Sequence, residues 1–163
     1  MSFADALLPE FDQEMANTRK VLERVPDDKL AWKPHAKSRT LGQLAAHVAA
    51  LPGNASRVLE ADEFNAVLPT GAPAAQKTRA ELLELFDGNV AKGKKLIGQT
   101  ADETWMKPWN FLFNGQKVFT LPKIAALRAI TLSHLIHHRG QFTVYLRLND
   151  IAVPGIYGPS ADE

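Results

Sequence analysis

An all-α fold, a four-helix bundle of the up-down type, is what this chain predicts, and three observations carry that prediction. Apolar residues recur at three- and four-residue spacing over four long segments. Thr-x-x-Gln and Thr-x-x-Glu capping pairs open two of those segments. Pro, Gly or paired Asp residues punctuate the gaps between them. The length, 163 residues, fits a single domain over 1–163.

The first helix is expected from about Phe3 to Val25, where Phe3, Leu7, Leu8, Phe11, Met15, Thr18 and Leu22 form one face. "PDD" at 26–28 ends it, because proline cannot continue the hydrogen-bond ladder. "LAWKPHAKSR" reads as a connection. Thr40 with Gln43 caps the second helix, whose buried stripe is Leu44, Val48 and Leu51. Pro52-Gly53 should interrupt it before "NASRVLEAD". Residues 63–77, rich in Ala and Pro without a period, read as a loop. Thr78 with Glu81 caps the third helix, which runs through Leu82, Leu83, Phe86, Val90 and Ile97. The stretch 101–120 breaks the helical period, and "NG" at 114–115 is a turn signal, so an irregular or short hairpin-like insertion is expected. The last helix is expected from about Leu121 to Asn149, with Pro122 in its first turn, followed by a C-terminal tail.

Composition narrows the function. Lys and Arg number 19 against 18 Asp and Glu, so no domain-wide basic field draws in nucleic acid or an anionic membrane. No cysteine is present, which removes disulfides, thiolate zinc sites and a protein thiol nucleophile. No apolar run is long enough for a membrane span, and the N-terminus lacks a signal-peptide pattern. The expected location is the cytoplasm.

Three of the five histidines fall in "HLIHHRGQ", residues 134–141. On a helix with His134 at zero, His138 lies near 40°, Gln141 near −20° and Tyr145 near 20°. Ile130, Val144 and Leu148 on one side and Leu135, Phe142 and Leu146 on the other suggest that this polar stripe points into the core. Unpartnered burial would cost about 1–3 kcal/mol per group. A metal ion is one partner: histidines at i and i+4 stack on one face and can converge on a single ion. His47, between Leu44, Val48 and Leu51 on the second helix, is the candidate third ligand. The other reading bonds the histidines to one another and to Tyr145, and a lone buried His47 is ordinarily a core hydrogen-bonder. His137 is placed behind the ligands or at an interface, His35 on the surface, and Arg139 away from the centre in an ion pair or interface. Gly140 is either tolerated or a close helix contact. Trp32, Trp105 and Trp109 cap the core, with Trp109 or Phe111 as possible walls of a pocket.

"LGQLAAHVAALPG", "HLIHHRGQFTVYLRLND" and "VPGIYGPSADE" together resemble the DinB-like (DinB/YfiT-like) four-helix-bundle family, and the likeness spans essentially the whole chain. The resemblance implies a divalent-metal site of three histidines, matching His47, His134 and His138. It implies a small-molecule substrate, in some members with a low-molecular-weight thiol in transferase or isomerase reactions, and a homodimer. Leu132, Ile136 and Ala129, opposite the histidine stripe, are the helix face such a dimer could use.

Two functions follow. One is a metal-dependent enzyme, a thiol-dependent transferase or a related hydrolase, with Gln141 and Tyr145 orienting ligands or substrate. The other is a non-catalytic metal- or small-ligand-binding bundle of a stress response. Zn, Ni, Fe or Cu would suit three imidazoles. No carboxylate lies on the histidine stripe; Asp12, Glu14, Glu60 and Asp62 are the remaining candidates for a base. The absence of a carboxylate from the stripe tilts the enzyme reading from hydrolysis towards thiol transfer, where the bound thiol is itself the nucleophile.

Overall fold

The computed structural model describes residues 2–67 and 77–163. Its long helices follow the apolar periods. Helix α1, Phe3–Leu22, opens on a capping box between Ser2 and Asp5. Helix α2, Leu41–Ala50, opens on the expected box between Thr40 and Gln43. Leu51–Gly53 tightens into a 3-10 turn, and helix α3, Asn54–Leu59, follows. Pro52 thus interrupts the ladder as the sequence indicated. Helix α4, Arg79–Gln99, starts on the Thr78–Glu81 box. A short helix α5, Asp102–Trp105, follows.

The last helical segment departs from the simple expectation. It begins later, as helix α6, Lys123–Leu127, widens into a π turn over Arg128–Ser133, and continues as helix α7, His134–Arg147. Pro122 precedes the segment as its N-cap rather than sitting in its first turn. The π turn inserts an extra residue per turn, a feature frequent beside functional sites. Asn54 Nδ2 donates to the Ile130 carbonyl at 2.7 Å, which satisfies a backbone acceptor inside that turn and ties α3 to it.

The all-α expectation needs one correction. The fold is mostly helical but carries a three-stranded sheet of order β1-β2-β3: β1 Glu63–Ala66, β2 Pro108–Phe113 and β3 Gln116–Pro122. β2 and β3 form the anticipated hairpin, closed by Asn114 (φ 49°) and Gly115 (φ 79°), the left-handed pair that a two-residue turn requires. β1 lies in the segment read as loop and pairs in parallel with β2, Phe64 opposite Phe111. A four-residue strand whose partner lies more than forty residues away has no local turn signal to betray it. The rest of that expected loop, 68–76, lies outside the described residues.

α1 packs on α4 and α7, and α2 on the same two helices. Phe11, Leu22, Leu44, Leu82, Phe86 and Phe142 are fully enclosed among them. Trp109 of β2 is buried and its Nε1 donates to the Arg57 carbonyl at 3.0 Å. Lys123 Nζ reaches the Ala61 carbonyl at 2.8 Å and Asp62 at 3.0 Å, which pins the entry to β1 against α6. The sheet is thereby held beside α3 and the π turn, where it walls one side of the histidines.

Candidate metal centre

His47 on α2 meets His134 and His138 on the first turns of α7. The Nε2 atoms of His47 and His134 are 3.2 Å apart. One ligand atom from each of the three histidines lies within 4.8 Å of the others. Tetrahedral zinc arms of about 2.0–2.1 Å require a ligand–ligand separation of roughly 3.3 Å, so the His47–His134 pair already has the spacing an ion needs. Ring centroids sit 5.0 Å (His47–His134), 4.5 Å (His47–His138) and 4.7 Å (His134–His138) apart.

Protonation favours the same use. Burial depresses the His47 pKa to about 3, with Arg39 and the other two histidines adding repulsion. Burial also holds His134 and His138 below the usual histidine value; the carbonyl of Ile130 and the amide of Gln141 respectively act in the opposite sense. Three neutral imidazoles near pH 7 are the ligating form, with no proton to displace. His138 Nδ1 donates to Gln141 Oε1 at 2.8 Å, which fixes its tautomer and frees Nε2 for the centre. Gln141 is therefore the orienting group behind His138. Tyr145 holds no histidine; its hydroxyl donates to the Arg39 carbonyl at 3.2 Å, and its ring meets Trp32 edge-on at 5.6 Å.

The stripe does not point into the middle of the core. Val144 and Leu148, the expected apolar flank, are 56% and 57% exposed. The buried side of α7 is Leu135, Arg139, Phe142 and Leu146. Arg139 can lie there because its guanidinium forms an ion pair of 2.7 Å with Glu14, both side chains almost wholly enclosed. Its role as an ion-pair residue is as expected; its burial rotates the helix and brings the histidines to the border of the core. His137 is exposed, its ring 4.9 Å from that of His138 and outside the group of three. His35 lies on the surface. Behind Gly140 nothing approaches, so it makes no close helix contact.

A border position opens the centre on two sides. A cleft of about 390 Å³ reaches His47 and His134 between Asn54, Arg57, Phe64, Phe111, Phe119 and Ile130. Phe111 is thus a wall of the expected pocket, while Trp109 is buried outside its lining. A second cleft of about 450 Å³ reaches His138 between Ser38, Arg39, Gln141, Val144 and Tyr145. Neither lining contains a carboxylate. The four candidate bases are engaged elsewhere: Asp12 with Lys94, Glu14 with Arg139, Glu60 with Lys92 and Asp62 with Lys123.

Sequence reasoning missed Asn54, Arg57 and Arg39. The only local hint was the Asn54/Arg57 pair at i, i+3 directly after Pro52-Gly53.

The DinB superfamily model matches residues 10–142, most of the chain. The chain belongs to the DinB superfamily. Across its length it is similar to the uncharacterized protein YrdA of Bacillus subtilis, 29% identical over 163 positions, covering 98% of this chain and 90% of that one. Its fold resembles the crystal structure of a DinB-like protein, YjoA, from Bacillus subtilis, with TM-score 0.71, 18% identity, and 95% and 99% of the two chains covered. A DinB-like protein from Bacillus cereus ATCC 10987 gives the same TM-score, 0.71, at 21% identity, with 94% and 97% covered. At those identities the two structures speak for the fold alone. Among the described residues, no helix is long and apolar enough to cross a membrane.

Proposed function

We propose that this DinB protein is a metal-dependent transferase that joins a low-molecular-weight thiol to a small electrophile, with His47, His134 and His138 holding one divalent ion. The observation that carries the reading is the composition of the site: three mutually close neutral imidazoles, two clefts leading to them, and no carboxylate in either lining. A divalent ion bound there would lower the pKa of a thiol so that it is a nucleophile near neutral pH. The chain supplies no cysteine, so the sulfur is the substrate's. A hydrolase would gain from a general base beside the centre, and the four candidate acids are all engaged in ion pairs elsewhere.

Protein groups divide the remaining work. Gln141 orients His138. Ser38, Arg39 and Gln141 present polar atoms to the second cleft, which suits a polar thiol. Phe64, Phe111 and Phe119 give the first an aromatic wall, which suits an apolar electrophile. Zinc, nickel and iron all match the donor set. The same reading takes the chain as one domain built on an up-down bundle, cytoplasmic, and homodimeric. Of the expected dimer face Leu132 is buried, Ala129 is exposed and Ile136 half-buried; Val144 on α7 and Leu148 just after it are further exposed apolar side chains for such an interface.

The test is a coupling assay with 1-chloro-2,4-dinitrobenzene and a panel of small thiols, on zinc- and nickel-loaded protein. In it a carbon–sulfur bond forms, chloride leaves and the thiol proton goes to solvent. Metal-dependent turnover, lost in His47→Ala and His138→Ala, is the expected result. A metal-loaded protein inactive with every thiol would reject the transferase and leave the non-catalytic metal-binding bundle.

A further inference from the structure

The first cleft is built for more than an apolar body. Arg57, an exposed residue, lines it with the guanidinium 4.4 Å over the Phe64 ring. Nη1 donates to Asn54 Oδ1 at 2.6 Å, and Asn54 is itself anchored to the Ile130 carbonyl. One of the five guanidinium N–H groups is thereby used, and the side chain is oriented by it. Arg57 forms no ion pair among the described residues. The neighbouring acids do not reach it, since Glu60 pairs with Lys92 and Asp62 with Lys123. Residues 64–80 contain no Asp or Glu at all, so the segment following β1 brings no carboxylate either. An oriented arginine without an anion, set on an aromatic wall, is a site for one.

His47 and His134 line the same cleft as Arg57. Part of its wall is aromatic: Phe111 and Phe119 are directly paired across β2 and β3, stacked with centroids 5.1 Å apart and 15° between planes. Phe64 continues the same wall from β1, its ring 6.3 Å from that of Phe111. The volume, about 390 Å³, is that of a small-molecule site.

We propose that this cleft binds a small carboxylate with an aromatic or branched apolar body, the carboxylate on Arg57, the body against Phe64, Phe111 and Phe119, and the other end of the ligand at the histidines. In this orientation the ligand is the electrophile of the proposed transfer, and to that extent the inference rests on the reading above. The recognition of the anion rests on Arg57 and not on the ion.

The experiment uses 3-phenylpropionate and its neutral isostere 3-phenylpropanamide, titrated by calorimetry into zinc-loaded protein and into protein stripped by chelator. The acid should bind more tightly than the amide by about tenfold or more in both forms, the worth of a charge-assisted pair. Arg57→Gln should bring the acid to the affinity of the amide, with the melting curve confirming the fold. Arg57→Lys should retain part of the difference. Arg39→Gln, in the other cleft, should leave it intact. Equal affinity of acid and amide, no saturable binding of either at millimolar concentration, or an acid preference that disappears with zinc yet survives Arg57→Gln would each overturn the proposal. A protein that takes up no metal but keeps the Arg57-dependent preference would reject the transferase and leave this inference standing.

Discussion

Arg139→Leu should be among the most damaging single substitutions in α7, although the Arg139 guanidinium bonds to Glu14, Thr18 and Tyr157 and to none of the three histidines that converge. Its Nη2 lies 2.7 Å from Glu14 Oε2, with both side chains enclosed. Nη1 also donates to the Glu14 carbonyl at 3.1 Å and to Thr18 Oγ1 at 3.2 Å. The Tyr157 hydroxyl closes the group, accepting from Arg139 and donating to the Glu14 carboxylate at 2.8 Å, and so ties the C-terminal tail to α1. Removing the guanidinium leaves a buried carboxylate without its countercharge, which costs about 3–5 kcal/mol. For a chain of this size that is a fall in melting temperature of roughly 6–20 °C. Glu14→Leu should cost a similar amount, and the double variant much less than the sum, because an apolar pair of similar volume replaces both charges. Urea denaturation of the four proteins gives the coupling energy. A loss below about 1 kcal/mol for Arg139→Leu, or simple additivity in the double variant, would refute the argument that this pair seats α7.

Further outcomes follow from the site. Gln141→Leu should weaken zinc binding by about tenfold or more without abolishing it, because it removes the hydrogen bond that fixes His138; competition with a chromogenic chelator measures this. Because burial lowers all three histidine pKa values, the neutral form predominates at each site at pH 7. Lowering pH from 8 to 7 should therefore leave zinc affinity almost unchanged, and calorimetry in two buffers of different ionisation enthalpy should show little proton release at pH 7; release of one or more protons per ion at pH 7 would contradict the lowered values. Thr40→Ala should cost about 1 kcal/mol by removing the side-chain half of the α2 cap, read as a shift in the urea midpoint.

Much of the helical frame was legible because its signals are local. The capping boxes at Thr40 and Thr78, the break at Pro52 and the Asn114-Gly115 turn act over three or four residues, and each element formed where they stand. His134 and His138 were legible as a pair because i, i+4 spacing needs no tertiary information, while His47 was joined to them by its place on the apolar face of the second helix and by the family resemblance. What stayed hidden depends on partners far along the chain. β1 exists through pairing with β2, and Arg139 is buried only because Glu14, 125 residues earlier, meets it. That pair decides which side of α7 faces inward. It therefore decides that the histidines sit at the edge of the core with clefts on both sides, rather than sealed within it. The π turn before His134 is equally invisible to a period of 3.6, since nothing in "RAITLS" marks it.

The central claim is that His47, His134 and His138 hold a divalent ion, and elemental analysis of untagged protein tests it most directly. The wild-type chain should carry about one divalent ion, and His138→Ala, folded by circular dichroism, should carry little or none. Wild-type protein that neither retains an ion nor gains stability on addition of zinc or nickel would contradict the account and leave the three imidazoles as hydrogen-bonded neighbours at the edge of the core.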